Sequence, residues 1–302
     1  MAYVPGNAQD WTRQIQTNEE VIRGEVNQNS TWKNVGIGAS LGESVPMIHL
    51  ERPILGGEDI HGDIRTGEAT RLSMTWGLID TRWLRYCTEL ALGTGTIAMS
   101  NSILHSQLVD DVEKSRVYLG CICDSVSLQL EKSYTANANF FAMGSTDWED
   151  EAALAARLGA SWIEAPALTS QEFTHTSAGA DPFTLDGTPM DVARLTIDIN
   201  RNAQEQRPNG LTGPKYIKRG ARRIRVTLDT WLKGDTNKQL VTDMLPHTLV
   251  YKLDGTGTDI TLTGVKFNDY RCDSAADAND FQIETLVGVA QHIVVDPLTV
   301  IS

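Results

Sequence analysis

The sequence predicts a mainly β protein with short helices (α+β), built as two tandem domains with the same order of strands and one short helix each. Three observations predict it. Apolar and polar residues alternate with period two in several short runs, as half-buried strands require. A pattern of strand, polar break with Ala and Asn, strand and glycine occurs twice, at "GCICDSVSLQLEKSYTANANFFAMG" (120–144) and "DITLTGVKFNDYRCDSAADANDFQIETLVGV" (259–289). The same order of elements precedes each occurrence, so the chain reads as a repeat.

Residues 1–40 repeat nowhere and are assigned to an N-terminal arm. The first domain, 41–145, opens with the strand "PMIHLERP" (46–53), with Met47, His49 and Glu51 on one face and Ile48 and Leu50 on the other. A Gly-containing polar arm, "ILGGEDIHGDIRTG", follows it. Leu72, Met74 and Trp76 then alternate as a strand. Asp80 caps a helix in which Trp83, Leu84, Cys87, Leu90 and Ala91 fall at helical spacing, and Gly93 ends it.

Residues 146–189 form a linker helix and loop. Thr146 or Asp147 caps a helix running through Leu158, with acidic residues in its first turn. The polar stretch 165–190 is a linker or surface loop.

The second domain, 190–302, repeats the order. In "ARLTIDINRN" (193–202) Leu195, Ile197 and Ile199 share one face, and this strand is matched to "PMIHLERP". "AQEQRPNGLTGPKYIKRG" matches the first arm. Ile224, Val226 and Leu228 match Leu72, Met74 and Trp76. Thr236 and Gln239 form a capping box for a helix carrying Leu240, Val241, Met244 and Leu245, closed by Pro246. The tail "HIVVDPLTVIS" is apolar and β-rich, which predicts that it docks on the body.

Composition bounds the function. With 302 residues, 41 % hydrophobic and 22 % charged, the chain can bury one or two real cores. Its net charge is −13, of which −10 falls in residues 1–165. A free nucleic-acid binder is usually basic, because phosphate neutralisation supplies most of its affinity. An acidic surface is instead one past which DNA slides without sticking. The four cysteines, Cys87, Cys121, Cys123 and Cys272, make no CxxC pair and have no neighbouring His, so buried reduced thiols are expected rather than zinc or a disulfide. The N-terminal stretch has no apolar signal core. No apolar run reaches the roughly 18–20 residues of a membrane span, so no membrane partner is expected.

Catalytic signals are weak. The six histidines form no HxH or HExxH spacing. His175, in "FTHTSAGADPF" near Asp181, is the best candidate general base, and a solvated loop histidine is the stronger reading of it. "GTGT" at 93–96 and 255–258 lacks the lysine of a phosphate loop, and the second reads as a hairpin turn. No GxSxG elbow is present. The expectation is therefore no catalytic residue, no cofactor and no metal. One patch stands out: Lys215, Lys218, Arg219, Arg222, Arg223 and Arg225. Three readings apply to it: contact with acidic residues of a neighbouring copy such as those of "WEDE" (148–151), a solvated strand and arm, or contact with nucleic acid. The acidity of the rest of the chain favours the first, since complementary charge sets assembly register.

The stretch "RLTIDINRNAQEQ…KRGARRIRVTLDTWLKGD…DFQIETLVGVA", within 190–290, resembles the tail tube proteins of long-tailed (siphovirus-like) phages and archaeal tailed viruses. The resemblance lies in the order of elements: an alternating strand, a gap, a Gly-Xaa-Arg-like start to the next strand, a short helix, then strands ending in an apolar run. A weaker version covers 45–145. The resemblance implies a major tail tube subunit, with two tandem tail-tube-like β-sandwich or barrel domains, each with one flanking helix, that stacks as rings around a channel for genome passage. Two domains per chain imply a homo-oligomer of trimeric rings with pseudo-sixfold symmetry. It implies partners among other tail proteins (tape measure, baseplate and terminator), transient passage of viral DNA without specific binding, and a place in the virion tail after assembly in the host cytoplasm. Glu51, Asp124, Glu131, Asp198 and Asp229 are the candidate lumen-facing residues, on the expectation of an acidic channel. A tube of a contractile injection or secretion system shares this fold. An all-β hydrolase or carbohydrate-binding protein is the alternative from another class.

Overall fold

A computed structural model describes residues 13–20, 23–28, 32–45, 47–53, 60–68, 70–78, 100–109, 112–158, 173–174, 178, 181–206, 214–231, 235–254, 257, 259–272 and 282–296. In the first half the strands are β1 (Arg13–Glu19), β2 (Lys33–Asn34), β3 (Ile37–Ser44), β4 (Met47–Pro53), β5 (Ile60–Glu68), β6 (Thr70–Gly77), β7 (Asn101–Val109), β8 (Val112–Leu130), β9 (Tyr134–Ala142) and β10 (Gly144–Ser145). Helix α1 (Glu151–Leu158) follows. The second half has β11 (Phe183–Leu185), β12 (Thr188–Pro189), β13 (Val192–Asn200), β14 (Gln204–Gln206), β15 (Tyr216–Lys218) and β16 (Arg223–Trp231). It continues with helix α2 (Thr236–Thr242), β17 (His247–Lys252), β18 (Asp259–Cys272), β19 (Ile283–Ala290) and β20 (His292–Asp296). The protein is mainly β, and its pairing is antiparallel throughout the described residues.

The pairings of the two halves correspond one to one. In the first half, β3 pairs β6, β6 pairs β9, β9 pairs β8, β8 pairs β7 and β10, β7 pairs β1, β1 pairs β2, and β4 pairs β5. In the second, β13 pairs β16, β16 pairs β19, β19 pairs β18, β18 pairs β17 and β20, β17 pairs β11, β11 pairs β12, and β14 pairs β15. One further pairing joins them: β13 lies against β8, Leu195–Asn200 opposite Leu130–Ser125. The result is one shared sheet in the order β3-β6-β9-β8-β13-β16-β19-β18. A smaller sheet accompanies it in each half.

The long strands β8 and β18 belong to both kinds of sheet and turn between them at glycine. Gly120 has φ +63 and Gly264 φ +65, a region L side chains rarely adopt. Each is followed by a second irregularity, a register shift at Cys123/Ser125 in one half and at Phe267/Asp269 in the other. Such bulges re-aim a strand.

The alternating runs bury the residues their spacing selects. Leu72, Met74 and Trp76 on β6 and Ile224, Val226 and Leu228 on β16 are buried, as are Leu195, Ile197 and Ile199 on β13. They share one core with Ile15, Ile103 and Tyr118 of the first smaller sheet and Leu249, Ile260 and Ile293 of the second. Each such side chain contributes about 1.5–3 kcal/mol on full burial, so period two decides which face turns inward. A smaller cluster of Trp32, Leu104, Val117, Leu154 and Leu158 seats α1.

Four expectations change. The counterpart of β13 is β3, not the strand at 46–53: β3 pairs β6 as β13 pairs β16, while Met47–Pro53 pairs β5 as one side of a hairpin. The sequence of β3, IGASLGES, dilutes its alternation with two glycines and two serines. Helix α1 is capped by Asp150, whose Oδ1 accepts from the Ala153 amide at 3.0 Å, and not by Thr146 or Asp147. Helix α2 has Asp235 at its N-cap without a side-chain cap, so Thr236 and Gln239 form no capping box. Met244 and Leu245 lie beyond it, 61 % and 58 % exposed, because Met244 takes a left-handed φ of 52° that ends the helix. Pro also disfavours helix at the residue before it. The expected helix after Asp80 lies outside the described residues. The boundary at residue 41 falls inside β3, and β1, within 1–40, is paired with β7.

Candidate functional site

The shared sheet has one face in the core and one open. Alternation assigns Arg71, Ser73 and Thr75 of β6, Thr135, Asn137 and Asn139 of β9, Ser125 and Ser127 of β8, and Thr196 and Asp198 of β13 to the open face. On it Thr75 donates to Asn137 at 2.6 Å and Asn139 to Ser125 at 3.0 Å. The middle of this face is thus neutral and polar. Towards β18 it becomes charged: Arg194, Arg223 and Arg225 stand with Asp229, Asp269 and Arg271. Arg194 donates twice to Asp229, at 2.8 and 2.6 Å, and Thr285 donates to its other oxygen at 2.8 Å. Asp198 lies directly opposite Arg225.

Two grooves occupy corresponding places on this face. One, of about 450 Å³, is lined by Arg71, Ser73, Asp124, Asn139 and Phe141. The other, of about 260 Å³, is lined by Arg225, Asn268, Asp269, Val287 and Val289. In the first, the Arg71 guanidinium lies 5.2 Å from the centre of the Phe141 ring. Both are open grooves at the register shift of a long strand, each lined by arginine and carboxylate side chains together.

The candidate acidic residues scatter. Asp198 and Asp229 lie on the open face, each beside an arginine. Asp124 sits at the bulge, where its carboxylate accepts from the Ala203 amide at 2.6 Å and its carbonyl from the Arg201 amide at 2.7 Å. It therefore latches the second half to the first. Glu131 is exposed in the turn between β8 and β9. Glu51 is on β4 opposite Asp63. Among the described residues of this face, basic side chains are at least as numerous as acidic ones.

The basic patch divides in two. Lys215 and Lys218 are exposed at either end of β15, on the β14–β15 hairpin, with Arg219 just beyond. Arg222 leads into β16, and Arg223 and Arg225 are exposed on the open face. Two acids of 148–151 have partners within the chain: Glu149 binds Arg157, and Asp150 caps α1. Trp148 stacks under Arg116 at 4.9 Å. His175 and the first GTGT lie outside the described residues; the second lies in the connection between Lys252 and Asp259, which pair as the ends of a hairpin.

Two buried acids escaped the sequence reading. Glu20 accepts from Ser102 and the Gly120 amide at 2.8 Å each and from the Gly24 amide at 2.9 Å, fixing the turn of β8 between sheets. Glu284 accepts from Tyr270 at 2.6 Å and from Asn237, tying α2 to the end of β19. That hydrogen bond, with burial and the charge of Glu284, pushes the Tyr270 hydroxyl up. The signal for Glu284 was present, a lone acid at a core-facing position of "FQIETLVGV". Between the halves, Tyr251 donates to Tyr134 at 2.9 Å in the core, where burial and this bond push the Tyr134 hydroxyl above the usual range. Burial, followed by the nearby Glu20, raises the Cys121 thiol, which is therefore an inert core group.

Among the described residues, no group of three or more His, Cys, Asp or Glu is placed to hold a metal ion. No helix among them is long and apolar enough to cross a membrane. The features that remain among the described residues are a large sheet with one open face, whose outermost strands β3 and the end of β18 each have one strand partner, and two hairpin arms. No curated protein matches the chain. The family model described as phage tail tube protein matches residues 22–294, from before β2 to within β20. That match takes in nearly all of both halves and the joint between them, and the chain belongs to the phage tail tube protein family.

Proposed function

We propose that this structural tail protein is a duplicated tube subunit whose copies join head to tail into rings, that the rings stack, and that the open face of the shared sheet lines the channel for the viral genome. The observation that carries the reading is the one-to-one correspondence of strand pairings in the two halves, which are already joined edge to edge in one sheet. Each chain then supplies two adjacent positions of a ring, and three chains close it with pseudo-sixfold symmetry. A head-to-tail contact closes or polymerises according to its rotation. A closed sheet leaves no edge for aggregation.

The β4–β5 and β14–β15 hairpins stand outside the shared sheet and are the elements for ring-to-ring contact, Lys215 and Lys218 among them. On the lumen, Asp198 and Asp229 lie beside arginines and the centre is neutral Ser, Thr and Asn. Passage without specific binding then rests on charges already paired within the wall, more than on an acidic lining. Tape measure, baseplate and terminator proteins are the partners at the tube's core and ends, and assembly takes place in the host cytoplasm. Negative-stain microscopy of the purified protein tests the reading through end-on class averages. Rings with a central hole and threefold modulation of a sixfold outline are expected. Sixfold rings of whole chains would keep the tube and discard the shared ring, and dispersed monomers at all concentrations and salts would overturn both.

A further inference from the structure

We propose that the joint between chains repeats the joint within the chain: β3 of one copy pairs antiparallel with the outer edge of Asp269–Cys272 in β18 of the next, in the register Glu43 with Cys272, Ser44 with Arg271 and Val45 with Tyr270. This rests on the ring reading above and specifies its contact residue by residue.

The register follows from corresponding positions. Glu43 stands opposite Leu72 and Ser44 opposite Arg71, as Ile197 stands opposite Val226 and Asp198 opposite Arg225. Tyr270 stands opposite Leu286, Arg271 opposite Thr285 and Cys272 opposite Glu284. In the first half Val126, Ser127 and Leu128 stand opposite Ala138, Asn137 and Ala136 in the same order after the same bulge. Within the chain, Ile197 pairs Leu128, Asp198 pairs Ser127 and Ile199 pairs Val126. Carrying those pairs to the free ends gives the proposed register.

Exposure supports it independently. Ile199 and Val126, which cover each other, are 1 % and 3 % exposed. Their counterparts at the free ends are apolar or aromatic but uncovered: Val45 is 39 % exposed and Tyr270 half-buried. Leu128 is buried, while its counterpart Cys272 is an exposed free thiol. Among the described residues β3 pairs only β6, and this part of β18 pairs only β19. The occupant is a second copy because each end carries what the other lacks, the β13-like edge at β3 and the β8-like edge at β18. A slip by one residue would turn every side chain to the wrong face, so the register is sharply defined.

The test uses the full chain and its native Cys272. Glu43→Cys under mild oxidation should convert the monomer band on a non-reducing gel into covalent dimers and trimers. Ser44→Cys against the same Cys272, one residue out of register and on opposite faces, should not. Glu43 also binds Arg116 at 2.9 Å and Tyr118 at 3.0 Å, so its loss could impair folding. Ser44→Cys with Arg271→Cys in a Cys272→Ser background therefore serves as a second pair, expected to link as well. Rings or tubes by microscopy that link at neither pair would overturn the register and leave the ring reading standing. Absence of any assembly in the unmodified protein would overturn both. Alkylation of Cys272 should be at least tenfold slower in assembled than in dissociated wild-type protein, and equal rates would count against the joint.

Discussion

The end of β8 and the end of β18 follow the same path and differ in one neighbour. Ser125–Leu130 lies between β9 and β13, whereas among the described residues Asp269–Cys272 pairs with β19 alone. The same holds for β13 and β3: among the described residues β13 is paired on both edges and β3 on one. The difference is one of supply. An apolar edge residue leaves water only when another strand covers it, and among the described residues that strand is present once, at β8–β13. Residue type alone therefore does not separate core from exposed edge here, since Ile199 and Val45 are both β-branched and only the first is buried.

The sharpest way to break the comparison is one substitution at both positions. Ile199→Asp buries an unpaired carboxylate and should cost more than about 3 kcal/mol, read as a lowered urea midpoint or failure to fold. Val45→Asp should change the stability of the dissociated chain by no more than about 0.5 kcal/mol, as surface changes usually do. It should nevertheless remove rings from micrographs. Normal tubes from Val45→Asp would mean that this edge is not covered in the assembly.

A smaller effect compares the two glycine turns. Alanine at Gly120 or Gly264 meets a positive φ, at about 1–3 kcal/mol. At Gly120 the new Cβ would lie 2.7 Å from the half-buried Met143 side chain. At Gly264 it would lie 2.6 Å from the far end of exposed Gln291, which can swing away. Urea denaturation should rank Gly120→Ala as the more costly, and the reverse order would show that the Met143 contact yields easily.

Next in size is the latch at the second bulge, Asp124 in the first half and Asn268 in the second. Asp124→Ala removes the acceptor of the Ala203 amide and should cost about 1 kcal/mol, while Asp124→Asn keeps an oxygen there and should recover most of it. Asn268→Ala should be near neutral. Equal losses at both positions, by thermal melting, would count against a latch specific to the junction.

These contrasts also explain what the sequence made legible. Leu72, Met74, Trp76, Ile224, Val226 and Leu228 were readable because each strand has one face in the core, and burial imposes the period. The similarity of the two long strands was readable because a glycine turn and a register shift fall at matching places in β8 and β18. β3 was not, because an edge strand needs fewer apolar residues to hold its place, and its glycines and serines hide the alternation. "PMIHLERP" alternates more cleanly and drew the match, although it pairs only within its hairpin. The open face was harder still. Its residues become a surface only through pairings between distant segments, and the sequence does not show that Glu149 of the acidic run 148–151 is bound by Arg157.

The smallest predicted effect separates the halves by charge. Asp186, just past β11, accepts from the Thr248 amide at 2.7 Å and lies 2.7 Å from the His247 ring nitrogen. Burial pushes its carboxyl up, but the bonds from His247 and Thr248 outweigh that and hold it below the usual range. The unfolded chain therefore binds this proton more readily than the native one, and stability rises with pH across that interval. The contribution is complete above the unfolded value near about 4 and is lost as pH falls through the depressed native value. The Asp186 side chain is 52 % exposed, so solvent screening keeps the effect small. The melting temperature of wild type should exceed that of Asp186→Asn at pH 6, and the gap should close on acidification below pH 4. At the matching position of β1 stands Asn18, opposite Ser102, which carries no ionisable side chain, so an Asn18→Ala variant should keep the wild-type pH profile. A gap that widens on acidification would place the stabilisation in some group other than the Asp186 carboxylate.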